Sequence, residues 1–470
     1  MKKNEAKGPV IKEIPNPPYK KRNVWLEGDR GEIMDFAKGY MAFLKEGKTE
    51  RLVAERLEEK ARQREFVDLK ACKSLEPGQP FYYNHRGKSF FMGVVKASLD
   101  QGFRILGAHI DAPRLDLKPQ PLYEAEDLAL FKTHYYGGIK KYQWVTMPLS
   151  LMGVIYRKDG SLLSVNIGEG EGDPVFTITD LLPHLAQEQM QKTAGKVIEG
   201  EKLNVLAGSI PAPGEEGKEP SVKKAILDLL YEKYGLLEED FLRGELELVP
   251  NFPPREVGFD RSLIGAYGQD DRICAYAANE AFMDLDARES GNVLAVFFDK
   301  EEIGSNGDTG AQSRILEHLM ELLIRKLGDK KASPLEIFFA SKAISADVSA
   351  VEDPSYDGVF DPYNRGQISY GPILSKYSGS RGKYDANDAS AEFLAYITGK
   401  LDRKGVLYQF GELGKVDLGG GGTIGMYLSQ LGIETVDLGT GLLSMHSPYE
   451  VASKADLYMT YRAYKAFLED

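Results

Sequence analysis

The first third of the chain alternates between two hydrophobic periods. Apolar residues recur every three to four positions from about residue 30 to residue 69, with Glu and Lys between them. This spacing predicts two amphipathic helices separated near Gly47. In 80–96, aromatic runs flank the tetrapeptide HRGK, which indicates a strand, a turn and a second strand. The apolar run at 103–110 predicts one further buried strand.

The middle of the chain has a different pattern. Residues 149–168 alternate apolar and polar positions on both sides of Asp159-Gly160, which predicts a β-hairpin. The stretch 207–220 is rich in Gly, Pro and Glu and is expected on the surface. We therefore expect 121–254 to form a β-rich domain inserted into the first one.

Helix and strand patterns alternate again beyond residue 255. Helical periods occupy ICAYAANEAFMDL and AQSRILEHLMELLIRKL, and strands are predicted at NVLAVFFD, KAISADVSA, GVLYQF and IETVDLG. This alternation predicts an α/β fold with a mixed, mostly parallel sheet sandwiched by helices. Residues 1–120 and 255–470 would form this domain, since 470 residues are enough for at least two domains.

Composition and charge exclude some classes of partner. The net charge of −12 disfavours nucleic acids and anionic membranes as partners. No apolar stretch reaches the ~20 residues that cross a bilayer, and the first residues lack the apolar segment of a signal peptide, so a cytoplasmic location is expected. Only Cys72 and Cys274 are present, which argues against a disulfide framework and against a thiolate-rich zinc site.

Imidazoles and carboxylates, which bind divalent metals, stand after several predicted strands or just before a helix. The set consists of His109, Asp111, Asp270, Glu301, Glu302, Asp347 and His446. In a parallel sheet these strand ends meet at one edge, where ligands bind. So many negative charges cannot stay ionised together without a counterion. A pair of divalent cations would supply it, and zinc, cobalt or manganese fit the mixed nitrogen and oxygen donors.

Two metals about 3.5–4 Å apart need one carboxylate that offers an oxygen to each. Asp270 suits this bridging position. His109 with Asp347 could complete one metal, and Glu302 with His446 the other.

Asp111 and Glu301 are left over by this assignment, and each suits a different task. Asp111 lies two residues after His109, so in an extended segment it projects to the same side and can orient the imidazole. Glu301 is adjacent to the ligand Glu302 and can serve as the general base that takes a proton from the attacking water.

Six motifs in this order resemble the aspartyl aminopeptidase family, a group of dimetal zinc exopeptidases: GAHIDAPRLDLKP, GQDDRICAY, DKEEIGSNG, SADVSA, GGGGTIG and MHSPYE. The likeness runs from about residue 25 to the end of the chain. The resemblance implies two metal ions, zinc above all, and the same ligands as the assignment above, with Asp111 and Glu301 catalytic.

The resemblance also implies a function and an assembly. It indicates a metal-dependent aminopeptidase that hydrolyses the N-terminal residue of short peptides through a water activated by two metals. It implies that 121–254 is a dimerisation or lid domain and that the subunits form a homododecamer. Lys376, Gly422 and Thr423 are candidate substrate-binding residues. A preference for acidic residues stays open, because DLGGGG at 417–422 replaces the family's NDxPCG run.

Three alternatives are compatible with the same residues. The chain could be a deblocking aminopeptidase or another dimetal hydrolase of the same clan, or a scaffold protein whose metals are structural. Gly420, Gly422 and Gly425 also satisfy the GxGxxG pattern of dinucleotide-binding oxidoreductases, with Asp437 downstream as the acidic residue. That alternative is weaker, because KVDL is short and charged for a central strand and the motif leaves the histidines unexplained.

Overall fold

A computed structural model describes residues 20–214, 219–285 and 291–469 of the chain. Most of the N-terminal arm (1–19) and part of the predicted surface stretch (215–218) lie outside the described residues.

The strands fall into three groups along the chain. The first segment contains β1 (Val67–Asp68), β2 (Phe81–His85), β3 (Ser89–Val94) and β4 (Arg104–His109). The middle segment contains β5 (Arg114–Ala125), β6 (Leu128–Tyr136), β7 (Leu149–Tyr156), β8 (Leu162–Ile167), β9 (Asn204–Gly208) and β10 (Gly244–Pro250). The last segment contains β11 (Arg255–Val257), β12 (Leu263–Ala266), β13 (Val293–Phe298), β14 (Lys342–Ser345), β15 (Ser349–Ala350), β16 (Ile373–Ser375), β17 (Gly379–Ser380), β18 (Gln409–Phe410), β19 (Gly420–Gly421), β20 (Glu434–Gly439), β21 (Gly441–Leu443) and β22 (Glu450–Ser453).

Helices flank these strands. They are α1 (Val24–Glu27), α2 (Arg30–Glu46), α3 (Glu50–Gln63), α4 (Gln187–Met190), α5 (Ala194–Val197), α6 (Val222–Tyr234), α7 (Gln269–Met283), α8 (Ile315–Leu327), α9 (Pro334–Ala340), α10 (Ala391–Arg403), α11 (Gly425–Gln430) and α12 (Lys454–Leu468). Side-chain oxygens of Asp29 and Thr49 cap the first turns of α2 and α3, and Gly47 lies between the two helices. The predicted helix pair therefore forms with its break where the sequence places it.

A nine-stranded sheet forms the centre of the molecule, in the order β1-β2-β3-β13-β4-β14-β20-β16-β18. Five of its eight neighbouring pairs are parallel, including the central run from β13 through β4 and β14 to β20. The expected mixed, mostly parallel sheet is confirmed. GVLYQF, in contrast, supplies only the two-residue strand β18.

Successive side chains of β13 enter two different hydrophobic cores. Ala295 and Phe297 belong to the core that includes residues of α2, α3, α7, α10 and α12. Leu294, Val296 and Phe298 belong to the core that includes residues of α8, α9 and α11. Because side chains alternate across a strand, helices cover both faces of the sheet, and this explains why the strand is apolar at every position.

The middle segment builds a six-stranded sheet of its own, in the order β8-β7-β10-β5-β6-β9, with a separate core. All its neighbouring strands are antiparallel. The sheet begins at Arg114, so the boundary predicted near residue 121 falls inside β5. The strand contains Pro119 and Pro121, and a register shift between Leu117 and Leu122 accommodates them.

A smaller five-stranded sheet, in the order β11-β12-β22-β21-β15, was not predicted from the sequence. Its strands have two to four residues each, too few to show a clear hydrophobic period. No helix among the described residues has the length and apolar character needed to span a bilayer.

Candidate metal centre

Three parallel strands of the central sheet deliver candidate ligands to one edge. His109 is the last residue of β4, Glu302 follows β13 after a short turn, and Asp347 lies two residues beyond β14. β4 pairs in parallel with both β13 and β14, so the three carboxyl ends are neighbours. This arrangement follows directly from the parallel pairing.

The other two candidate ligands come from the five-stranded sheet. Asp270 stands at the beginning of α7, just after β12, and its peptide bond to Asp271 is cis. His446 lies in the turn between β21 and β22 and has a positive φ of 63°. The site therefore combines candidate ligands from segments of two different sheets.

Asp270 lies between the two histidines. Its Oδ1 is 3.2 Å from Nε2 of His109, and its Oδ2 is 3.2 Å from Nε2 of His446. His109 and Asp270 are buried. One carboxylate thus presents a separate oxygen to each imidazole, as a bridging ligand must.

Ligand atoms gather into two groups that share Asp270. His109, Asp270 and Asp347 form one group, and Asp270, Glu302 and His446 form the other, with the donor atoms of each group within 4.8 Å of one another. Donors on one tetrahedral zinc ion, each about 2.0–2.1 Å from it, lie roughly 3.3 Å apart. Oε1 of Glu302 is buried without a hydrogen-bond partner in the described structure. The donor set and this unpaired oxygen fit divalent cations.

The pKa shifts of the carboxylates also indicate that positive charge is needed at this position. Burial and Asp270 raise the pKa of Glu302 well above its usual range. Burial and the charge of Glu301 likewise raise the pKa of Asp347 well above its usual range. Burial raises the pKa of Glu301 to about 7, with Asp111 and Asp270 adding to the rise and His109 opposing it. Cations at this position would stabilise the ionised carboxylates.

Asp111 connects the imidazole of His109 with the turn that carries the two glutamates. Its Oδ1 lies 3.2 Å from Nδ1 of His109 and accepts the backbone N–H of Glu301 at 3.1 Å. Its Oδ2 accepts the backbone N–H of Glu302 at 3.2 Å. The carboxylate can therefore hold Nε2 of His109 toward Asp270.

Glu301 lies beside the two groups of candidate ligand atoms that share Asp270 but belongs to neither of them. Its Oε2 is 3.9 Å from Nε2 of His109, and its side chain is 18% exposed. A carboxylate that reaches the site while keeping access to solvent can exchange protons with a substrate or with water.

Sequence reasoning missed Glu450, the first residue of β22. Its Oε2 accepts the backbone N–H groups of Gln269 and Asp270, at 2.7 and 3.1 Å, and its Oε1 accepts that of His446 at 2.8 Å. Glu450 is buried, and it ties the segments that carry Asp270 and His446 to one another. The signal was present in the quoted motif MHSPYE, but only the backbone geometry shows what the glutamate contacts.

A cavity of about 260 Å³ opens beside Asp270, Glu301 and Asp347. Gly422 and Thr423, two of the three candidate substrate-binding residues, line it. The hydroxyl of Thr423 donates to Oδ1 of Asp437 at 2.5 Å.

Lys376 is absent from the lining of this cavity within the described part of the chain. Its Nζ lies 2.8 Å from Oδ1 of Asp388. The positively charged side chains that line the cavity belong to Arg381, Lys383 and Lys415.

The glycine-rich run does not have the surroundings of a dinucleotide site. Gly420 and Gly421 form β19, which pairs with β17 in a two-stranded sheet rather than ending a strand of the central sheet. α11, which begins at Gly425, has six residues. The GxGxxG pattern therefore lacks the strand–loop–helix context that gives it meaning.

Comparison with known proteins decides the family. The family model described as "Aminopeptidase I zinc metalloprotease (M18)" matches residues 43–468. The chain belongs to the M18 family of zinc aminopeptidases. This confirms the predicted family and enzyme class: the protein is a metalloaminopeptidase, a hydrolase.

Relatives across nearly the whole length support this assignment. Proteins named probable M18 family aminopeptidase 1 from Thermotoga neapolitana and Clostridium acetobutylicum are each 46% identical, over 453 and 458 residues. The matches cover 96% of this chain in both cases, and 99% and 98% of the two relatives.

Solved structures agree on the fold. The M18 aminopeptidase from Thermotoga maritima superposes with a TM-score of 0.93 at 45% identity, covering 96% of this chain and 100% of that chain. The mApe1 dodecamer from Saccharomyces cerevisiae is 22% identical, with a TM-score of 0.75 over 93% of this chain and 97% of that chain, and shares the fold. The predicted fold class is confirmed.

Proposed function

We propose that this M18 aminopeptidase removes the N-terminal residue from short peptides with two divalent cations, preferably zinc, bound at Asp270. His109 and Asp347 would hold one ion, and Glu302 and His446 the other. The observation that carries the proposal is the position of Asp270, whose two oxygens are each 3.2 Å from a different histidine. Bound cations would supply Lewis acidity, which polarises a peptide carbonyl and makes water more acidic.

The chain's own groups then divide the remaining work. Glu301 accepts the proton of the attacking water on its carboxylate and returns it to the leaving nitrogen, which completes the hydrolysis. Asp111 keeps the imidazole of His109 oriented through the contact at Nδ1. Residues 255–470 and 1–120 supply all these groups and form the catalytic domain of the proposal.

The substrate's first side chain would enter the cavity lined by Gly422 and Thr423. A preference for an acidic first residue, which the resemblance suggested, now depends on Arg381 and Lys415 at this cavity. The ammonium of Lys376 already faces Asp388, so we expect Lys376→Ala to change the ratio of Asp to Leu cleavage by less than about threefold.

A panel of aminoacyl anilides with Asp, Glu, Leu and Lys, with zinc, cobalt or manganese added, tests the proposal. We expect cleavage of at least one member, no cleavage of its N-acetylated form, and loss of turnover with a chelator at a concentration that leaves the circular dichroism spectrum unchanged. Absence of cleavage from protein with measured bound metal would refute the aminopeptidase proposal. Cleavage of the acetylated form would instead indicate a deblocking enzyme, and melting on chelation would indicate structural metals.

We further propose that the inserted domain at 121–254 serves dimerisation or acts as a lid, and that the subunits form a homododecamer. The inserted domain exposes a run of large apolar side chains, which are Leu181, Leu182, Leu185 and Met190. The fold shared with the dodecameric yeast protein supports the same assembly. Light scattering should give a mass near twelve times 52.2 kDa, and a stable monomer would refute the assembly.

The two free cysteines, Cys72 and Cys274, support a cytoplasmic location.

A further inference from the structure

The last residue of β6 and the two glycines after it extend from the inserted segment into the metal centre. The hydroxyl of Tyr136 donates to Oδ2 of Asp111 at 2.8 Å. The carbonyl oxygen of Gly138 lies 3.1 Å from Nδ1 of His446 and can accept its N–H. One short segment thus contacts Asp111, the partner of His109, and the imidazole of His446 itself.

The two glycines permit this close approach. A Cβ atom on Gly137, whose φ is +77°, would lie 3.3 Å from Oε2 of Glu302. A Cβ atom on Gly138 would lie 3.2 Å from Nδ1 of His446. Side chains at these positions would crowd the ligands, so the absence of a Cβ is what lets the backbone reach them.

The ring of Tyr136 is itself fixed from its other side. The guanidinium of Arg114 lies 3.9 Å from the ring centroid. Arg114 is in turn paired with Asp116 at 2.8 Å and with the buried Glu247 at 3.3 Å, on the sheet of the inserted segment. A tyrosine held between a paired arginine and a buried carboxylate has little rotational freedom, so its hydroxyl is a stable donor.

The hydroxyl of Tyr136 is the nearer of two donors to Oδ2 of Asp111. The described contacts of that oxygen are the hydroxyl of Tyr136 and the more distant N–H of Glu302 at 3.2 Å. Asp111 in turn contacts Nδ1 of His109. The partner of a ligand's second ring nitrogen sets the tautomer and the orientation of the ring.

We propose that Tyr136 is a positioning residue of the metal centre: through Asp111 it orients His109, while Gly138 in the same segment orients His446. The inserted segment is then part of the metal centre in addition to any role in assembly. This inference rests on the proposed function, because it takes His109 and His446 to be ligands.

Tyr136→Phe removes the hydroxyl and keeps the ring, and Tyr135→Phe is the matched control. Tyr135 is the preceding residue of β6 and is 41% exposed. Zinc affinity is measured by competition with a chromophoric chelator, and activity is measured against metal concentration. In Tyr136→Phe we expect the zinc dissociation constant to rise 10–100-fold, with activity recovering toward that of the original protein at saturating metal. Tyr135→Phe should remain within about twofold.

Unchanged zinc affinity in Tyr136→Phe, with only a lower thermal midpoint after chelation, would show a structural role and overturn the inference. Arg114→Lys keeps the charge but loses the flat contact with the ring, so it should shift the affinity in the same direction by a smaller factor. If zinc affinity falls as expected but the original protein cleaves no peptide, the proposed function fails and the positioning role stands. If the original protein cleaves peptides and both Tyr136→Phe and Arg114→Lys bind zinc with unchanged affinity, the positioning role of Tyr136 fails and the proposed function stands.

Discussion

Replacing Glu301 with glutamine separates proton transfer from metal binding. The variant Glu301→Gln keeps the size of the side chain and loses its basicity. Among the described residues, neither group of closely spaced ligand atoms includes Glu301. Its Oε2 is nevertheless only 3.9 Å from Nε2 of His109, within the site. We therefore expect the variant to bind the same amount of metal and to lose most of its turnover.

The expected loss of turnover in Glu301→Gln follows from the role of Glu301 as a general base. A positioned general base contributes roughly 10²–10⁴-fold to a rate. At about 1.36 kcal/mol for each factor of ten, this corresponds to about 2.7–5.4 kcal/mol in the activation barrier. A carboxylate that only shapes the cavity would contribute far less.

The neighbouring residue provides the control. Glu302→Gln changes the same functional group one position along the chain, but Glu302 belongs to the group with Asp270 and His446. Metal per chain is measured after gel filtration, and kcat is measured with the best anilide. We expect Glu301→Gln to retain its metal and Glu302→Gln to lose one ion. Glu301→Gln with activity within threefold of the original protein, or with metal loss equal to that of Glu302→Gln, would refute the assignment.

Three further outcomes are expected. Glu450→Gln places an amide N–H against a backbone N–H, so one hydrogen bond to the side chain is lost. A hydrogen bond to a charged group is worth about 1.5–3 kcal/mol. Zinc affinity, measured by chelator competition, should therefore fall at least tenfold. Arg51 and Lys88 outweigh burial and lower the pKa of Glu245 to about 2; its contribution to stability is therefore present above the ordinary value of 4.5 and is lost as the pH falls toward 2. Glu245→Gln should lose less stability between about pH 5 and about pH 2.5 in urea titrations, by on the order of 1 kcal/mol after allowing for solvent screening. Phe297→Ala in the buried β13 should lower the free energy of unfolding by about 3–5 kcal/mol, whereas Phe259→Ala, at a fully exposed ring, should change it by less than about 0.5 kcal/mol.

The central sheet and the position of the candidate ligands at its edge could be predicted because their signals are local. β4 and β13 are short apolar runs, and His109 and Glu302 stand at or just after their ends. Once the strands are taken as parallel, the position of these residues at one edge follows without further information. Asp347 follows β14, which pairs in parallel with β4, and lies at the same edge for the same reason.

Other features depend on contacts between distant parts of the chain. Glu450 binds backbone N–H groups 180 and 181 residues away, and no local pattern reports such a contact. Lys376 was a candidate substrate-binding residue, but Asp388, twelve positions later, is its partner. The domain boundary expected at residue 121 falls inside β5, because prolines normally end strand pairing, whereas a register shift between Leu117 and Leu122 lets this strand continue.

The elements that carry the candidate ligands explain how the proposed metal centre can have strict geometry without holding the fold together. His109, Glu302 and Asp347 are carried by the central sheet, while Asp270 and His446 are carried by the five-stranded sheet and tied by Glu450. Each face of the central sheet already has its own large apolar core. Hydrophobic burial therefore stabilises the two sheets, and under the proposed function the cations would need only to select the arrangement in which the candidate ligands converge. Small displacements between the sheets would change metal affinity long before they changed the fold.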